Sequence, residues 1–326
     1  MTVRIQKDAL NLREELVDLR KPSGIAGEAL LRADSVQEQR DLIGAGRKNL
    51  IINGGFDVWQ RGTSQSSNGY GCADRWAMYR VTNGAQRSTD VPSSDFKYSM
   101  QYTSLTTGMA DLWLRQSIED YGRVIRDTSK TFTVSFWAKA DRIGVVMVDL
   151  NDRNHGNITV GTAWQKYSHT FTGDASNAGD HAALDFGSNE NAWTINITGI
   201  QFELGSVATE FEHRPFGEER DLCLRYFWKV TPAYSFQGTL WTSNNYHSCI
   251  QFPVPMRTFP TYTDSGAANF TLFGAGAAYS SNAQATLDQT SLYNTEIKVW
   301  SASASSSSAF IRLNNSPAFM AFDAEL

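Results

Sequence analysis

The sequence predicts a mainly β protein in three parts: an N-terminal helical segment, a jelly-roll β-sandwich, and a second, C-terminal β-sandwich domain. Three observations predict it. Residues 1–48 are dense in charge of both signs and carry no aromatic side chain, with apolar residues at helical spacing. From Asn49 the apolar period changes from helical to twofold. After Tyr226 the chain stays strand-like but becomes nearly uncharged and rich in Ser, Ala, Thr and Asn. The expected parts are therefore 1–48, 49–216 and 217–326.

In the first part, Ile5, Ala9, Leu12, Leu16 and Leu19 recur at alternating spacings of four and three, one stripe of a helix. The stripe stops at Pro22, because a proline disfavours helical geometry at the residue before it, Lys21. Ser35 followed by Glu38 forms a capping box that opens a second helix, and Gly44 is placed to end it. An isolated amphipathic helix of this length is marginal in water, so the stripe needs a partner. Two partners fit: the chain's own β region, or copies of the same helix in a short coiled bundle.

In the second part, Thr131–Ala140 places Phe132, Val134, Phe136, Ala138 and Ala140 on one face and Thr131, Thr133, Ser135, Trp137 and Lys139 on the other, the pattern of a half-buried strand. Similar alternation marks 96–102, 112–118, 145–151, 165–171 and 194–197, with turn-rich stretches such as 174–180 between. Many short strands without interleaved helices imply an antiparallel sandwich or jelly roll. Asn53-Gly54-Gly55 signals a turn or bulge after the first apolar run, and Gly199 a bulge or close backbone approach in the last strand. Residues 217–224 read as one or two helical turns joining the β parts. The low-complexity stretch Ser301–Ala309 reads as a loop, since alternation resumes at Ile311 and Leu313.

Composition narrows the function. A net charge of −5 with scattered Lys and Arg argues against a nucleic-acid partner, because phosphate binding needs clustered cations. The charged N-terminus is neither a secretory signal nor a membrane span, so the mature chain is expected to start near Met1. Cys72, Cys223 and Cys249 show no paired spacing; they are expected as free thiols in a reducing cytoplasm, without a zinc site. Three N-x-[ST] matches, at Asn157, Asn196 and Asn269, matter only in a eukaryotic secretory pathway.

Four stretches carry a resemblance: NLIINGGFDVWQRG (49–62), ADRW (73–76), GIQFELGSVATEFEHRPFGEERDLCLRYF (199–227) and PVPMRTFPT (253–261), with FDAEL at the end. The chain resembles bacteriophage tail-fibre and virion appendage proteins with a carbohydrate-binding-module-like jelly roll. The resemblance implies a homotrimeric fibre or spike, assembled in the host bacterial cytoplasm. Its N-terminal helical anchor (Ile5, Leu12, Leu16, Leu19) would dock on other virion proteins, and its β domains would project towards a bacterial surface glycan. It implies no cofactor. Related jelly rolls often hold a structural calcium near the first and last strands; Asp57 and Glu203 fall in suitable strands, but nothing in their spacing demands a metal.

One polar and aromatic sheet face is the expected glycan site: Trp113, Arg115 and Glu119, then Trp137 and Lys139, then Asp149 and Asn151, all facing away from buried apolar neighbours. Trp and Arg are also enriched at protein interfaces, so the same face suits the trimer axis or a covering loop. A second candidate is a tip formed by Trp241, Asn244, Asn245, Tyr246 and His247, which a hairpin turn explains equally well. The glycan-binding candidates are thus Trp113, Arg115, Trp137, Lys139, Asp149, Asn151, Trp241 and Tyr246. No catalytic residue is expected. Glu203, Glu210, Glu212, Glu218 and Glu219 crowd one linking segment rather than flanking a cleft, and nucleophile-elbow, zincin and phosphate-loop motifs are absent. The alternatives to an attachment fibre are a head decoration or adaptor, and a polysaccharide depolymerase.

Overall fold

The computed structural model describes residues 48–79, 84–103, 112–119, 125–151, 154–173, 181–188, 192–232, 234–266, 270–274, 277–280, 284–300, 308–314 and 318–325. The expected helical anchor, with Ile5, Leu12, Leu16 and Leu19, lies outside these residues, as does most of the Ser/Ala stretch; its last two residues open a strand. The chain divides into two compact units, Met1–Asn49 and Leu50–Leu326.

The second unit opens with four short strands: β1 (Ser64–Gln65), β2 (Gly69–Tyr70), β3 (Ala77–Tyr79) and β4 (Ala85–Ser88). Eight longer ones follow: β5 (Ser99–Thr103), β6 (Leu112–Glu119), β7 (Thr131–Ala140), β8 (Gly144–Leu150), β9 (Asn154–Val160), β10 (Gln165–Thr172), β11 (His181–Ser188) and β12 (Thr194–Leu204). They form two antiparallel sheets, ordered β1-β4-β5-β12-β7-β10 and β2-β3-β6-β11-β8-β9. Counted from β5, the eight long strands lie in the order first-eighth-third-sixth facing second-seventh-fourth-fifth, which is the winding of a jelly roll.

The core lies between the sheets. Phe132, Val134, Phe136 and Ala138 of β7 meet Leu114, Val146, Val148, Leu184 and Phe186 of the other sheet, all fully buried. Phe136 and Phe186 cross edge to face at 5.1 Å, joining the two layers. The alternation expected in β7 is present, but Thr133 and Ser135 on its outer side are also buried. The Thr133 hydroxyl donates to the Gly205 carbonyl at 2.8 Å, so the segment leaving β12 covers the strand there.

Both glycine signals mark close approaches. A Cβ on Gly54 would sit 2.1 Å from the Ile200 carbonyl oxygen. Gly199 has φ of +62° and occupies the register shift between Thr198 and Gln201, so it is the bulge residue of β12. Asp57, expected in a strand, lies in irregular chain after the Asn53 turn. Glu203 does lie in β12, and its carboxylate accepts from Thr209 N–H and Oγ1 and from Gln201 Nε2 at 2.7–2.9 Å.

Helix α1 (Phe216–Leu224) leads into β13 (Phe227–Val230), β14 (Ser235–Thr242), β15 (Asn245–Gln251), β16 (Thr261–Asp264), β17 (Phe270–Gly274), β18 (Ala277–Ser280), β19 (Gln284–Thr290), β20 (Asn294–Trp300), β21 (Ser308–Leu313) and β22 (Met320–Asp323). These make a three-stranded sheet, β13-β22-β16, and a seven-stranded sheet, β18-β17-β21-β14-β15-β20-β19, around a second core that includes Trp228, Tyr246, Phe270, Ile297, Ile311 and Phe322.

The β parts keep separate cores yet form one compact unit rather than two, because a buried polar junction ties them. Arg61 reaches Asp323 at 2.7 Å and Glu325 at 3.2 Å, and lies over the Phe227 ring at 3.7 Å. Arg75, 1% exposed, pairs with Glu325 and donates to the Ser117 carbonyl at 2.6 Å. Arg225 and the Tyr226 hydroxyl both donate to Glu119, at 2.8 and 2.6 Å. The Asn53 amide donates to Glu219 of α1, which also pairs with Arg214. Within the C-terminal part, Arg257 donates to the carbonyls of Ala324 and Glu325 and holds the segment that carries the Glu325 carboxylate.

Candidate functional site

The outer face of the β2-β3-β6-β11-β8-β9 sheet carries two parallel rows of side chains. Strand register fixes them. In the first, Arg115 of β6 lies opposite Asp185 of β11, which lies opposite Asp149 of β8. In the second, Tyr79 of β3 lies opposite Trp113, Trp113 opposite Gly187, Gly187 opposite Met147, and Met147 opposite Asn157. The strands place these residues outward because Met78, Leu114, Leu184, Phe186 and Val148, the intervening positions, fill the core.

The first row is charged and fixed. The Arg115 guanidinium grips Asp185 through two bonds, Nε to Oδ1 at 2.6 Å and Nη2 to Oδ2 at 2.8 Å. Asp185 and Asp149 are fully buried, while Arg115 keeps part of its surface open. The second row is apolar and flat from Tyr79 to Met147, with the exposed Asn157 at its end. Trp113 lies across Gly187 so closely that a Cβ there would meet the indole at 2.5 Å. Tyr79 is 37% exposed beside it, and the Arg115 guanidinium carbon sits 5.2 Å from the Tyr79 ring centroid. An aromatic strip beside the part-exposed Arg115 guanidinium, which the buried Asp185 holds in place, suits a pyranose ring: C–H faces that stack on aromatics, and hydroxyls that accept from a cation.

Of the eight sequence candidates, Trp113, Arg115 and Asp149 belong to this face. Asn151 follows β8 with φ of +61°, and its side-chain oxygen accepts the Ala183 amide at 2.9 Å, so it shapes the strand end. Trp137 and Lys139 do not share the face. They lie on β7, in the opposite sheet, because a jelly roll sends successive strands β6, β7 and β8 alternately to the two layers. There Trp137 packs over Gly199, and Lys139 pairs with Asp90 beside Trp164.

The expected tip is a strand hairpin, β14 to β15. Trp241 is 76% exposed, but Tyr246 is fully buried, because alternation along β15 turns Tyr246 inward and its neighbour His247 outward. Tyr246 is a core residue. Tyr79, Asp185, Gly187 and Met147 were missed. The signal for Asp185 was present: in HAALDFGS the buried Ala182, Leu184 and Phe186 leave it on the outer face.

Several buried ionisable groups elsewhere have shifted acidities. Burial pushes the Asp74 carboxyl up to about 6, against hydrogen bonds from Gln60 that lower it. Glu219 is also raised, by burial, although Arg214 and the Asn53 amide oppose the shift. Cys72 and Cys223 are buried free thiols raised by the same cause, and Cys249 is exposed. Among the described residues no helix is long and apolar enough to cross a membrane.

No protein-family profile matches the chain, and no curated protein matches it. Among solved structures, a family 4 carbohydrate-binding module is 22% identical, covering 48% of this chain and 99% of that one at a TM-score of 0.34. A family 61 carbohydrate-binding module in complex with β-1,4-galactotriose is 14% identical, covering 49% and 100% at 0.33. The enzymatically active domain of bacteriophage CBA120 tailspike protein 4 is 18% identical, covering 48% of this chain but 21% of that one, at 0.31. Likenesses of this size carry no inference about ligand, and the assignment of the jelly roll rests on the strand order.

Proposed function

We propose that this chain is a non-enzymatic bacteriophage virion protein, a homotrimeric tail fibre or spike that attaches to the host surface by binding glycan on its jelly roll. The observation that carries the reading is the pairing of the Tyr79–Trp113 strip with the Arg115–Asp185 row on one sheet face. Binding fits this face better than hydrolysis. A glycosidase needs one carboxyl held protonated and another free to act as base or nucleophile, whereas Asp185 is committed to a two-point ion pair. The apolar stripe of residues 5–19 supports assembly into a bundle, and three copies of a weak site would raise avidity through effective concentration.

The test is a binding assay of the full chain on host cells and purified host surface polysaccharide. The expected result is saturable binding that Trp113→Ala removes without changing the thermal transition. No binding at saturating concentration would sink the attachment reading. It would favour the second one, a head decoration or adaptor, for which an exposed Tyr, Trp and Arg face is equally suitable as a protein interface.

A further inference from the structure

A second constellation lies on the outer face of the seven-stranded sheet, in the C-terminal part. The His247 Nδ1 atom is 2.6 Å from a Glu296 carboxylate oxygen and 3.7 Å from Asp288 Oδ2. Ligand atoms of the three residues all lie within 4.8 Å of one another. We propose that His247, Asp288 and Glu296 form a binding site for a divalent transition ion of the zinc type.

Three features beyond proximity support it. The first is backbone: β19 pairs Leu287 with Ile297 and then Thr290 with Thr295, so Asp288 and Gln289 together face the single residue Glu296. A bulge of this kind swings a side chain out of the regular ladder, and here it brings Asp288 toward the His247–Glu296 pair. The second is access. His247 and Glu296 border a hollow of about 350 Å³ whose walls include Ser291 and Asn294, and the side chains of His247, Asp288 and Glu296 are 16%, 44% and 35% exposed. The third is a neighbouring ring: the Trp241 indole lies with its centroid 5.8 Å from that of the imidazole, tilted by 42°.

The donor set selects the ion. Imidazole with carboxylates suits zinc and its first-row neighbours, while calcium takes six to eight oxygen ligands and magnesium keeps most of its waters. Bonds of about 2.0–2.2 Å in a tetrahedron separate ligand atoms by roughly 3.3–3.5 Å. The His247–Asp288 spacing of 3.7 Å is already close to that, the His247–Glu296 pair must open by under an ångström, and every pair lies within 4.8 Å. Three protein ligands leave one position facing the hollow, open to water or another oxygen donor. Lys298, the register partner of His247, is one cation against two carboxylates, so the patch remains net negative when the imidazole is neutral.

The experiment is calorimetric titration of chelator-treated full-length chain with zinc chloride, with cobalt(II) absorption as the spectroscopic readout. The expected result is one equivalent of zinc per chain and a cobalt spectrum of low-symmetry coordination. His247→Ala, Asp288→Asn and Glu296→Gln should each weaken zinc binding at least tenfold. Asp288 is the most exposed of the three, so Asp288→Asn keeps the test decisive if His247→Ala fails to fold. Cys249→Ser, which removes the thiol of the Glu296 register partner, should leave the stoichiometry at one. The proposal is overturned if no zinc binds, if calcium binds in its place, or if Cys249→Ser abolishes binding while His247→Ala does not.

Discussion

The guanidinium carbon of Arg75 lies 3.5 Å from the centroid of the Tyr226 ring, placing a buried cation of the jelly roll face-on against an aromatic of the C-terminal part. Arg75 belongs to ADRW and Tyr226 to DLCLRYF, two of the stretches that carried the family resemblance. Gln60 and Arg61 of the first stretch, Arg257 of the PVPMRTFPT stretch, and Asp323 and Glu325 of FDAEL also act at the same junction. The resemblance therefore resides in the residues that lock two β bodies together rather than in a ligand site.

Removal of the Glu325 carboxylate should be costly. It pairs with Arg75 and Arg61, and both guanidiniums are nearly inaccessible to water. Breaking a buried pair on one side leaves an uncompensated charge, which costs about 3–5 kcal/mol. Glu325→Ala is expected to lower the unfolding free energy measured in urea by that amount, whereas Arg142→Ala, whose contact with Asp141 is exposed, should lower it by under about 1 kcal/mol. Equal effects from the two variants would refute the junction as a stabilising element.

The limits of sequence reading are visible in β6, β7 and β8. Alternation identified all three strands and the inward side of each, because the twofold period is local. It could not assign a strand to a sheet. Partners such as Asp185 for Arg115 lie 70 residues away, and only the winding of the whole roll brings them together. Trp137 and Lys139 were grouped with Trp113 for this reason. Tyr246 was misplaced for a different one: a turn-like composition concealed a strand whose alternation begins immediately after Asn244.

Gly187 is predicted to be the floor on which Trp113 rests. A methyl group there would enter the space of the indole, and Trp113 can yield by swinging outward, since it is only half-buried. Gly187→Ala should keep the fold, red-shift tryptophan emission, and reduce glycan binding at least tenfold, about 1.4 kcal/mol. Unchanged affinity would separate the flat indole from recognition.

Assembly has its own prediction. If the stripe at Leu12 and Leu16 joins copies of the chain, light scattering should give three times 36.2 kDa for the intact protein. Leu12→Asp with Leu16→Asp should then return the single-chain mass, because a carboxylate in an apolar seam is left desolvated without a partner. A monomeric wild type would end the fibre reading while leaving the jelly roll untouched.

Stability should be greater near pH 5 than near pH 7.5, with Asp74 a principal cause. Burial raises its carboxyl to about 6 in the fold, against hydrogen bonds from Gln60 that act the other way. The folded chain therefore holds a proton that the unfolded chain releases near its ordinary value of about 3.9. The contribution is fully present below that unfolded value and is lost as pH rises through about 6. Glu219 is raised, mainly by burial, and acts in the same sense. His169 opposes them: burial lowers its pKa, so its contribution is present above the ordinary histidine value and is lost as pH falls through its lowered folded value. Glu119, lowered by Arg225 and Tyr226 despite its burial, acts only in more acidic solution. The informative quantity is therefore the difference between wild type and Asp74→Asn in urea midpoints at pH 5, 6 and 7.5. The variant should flatten the decline above pH 5, and parallel profiles would show that Asp74 stays ionised throughout.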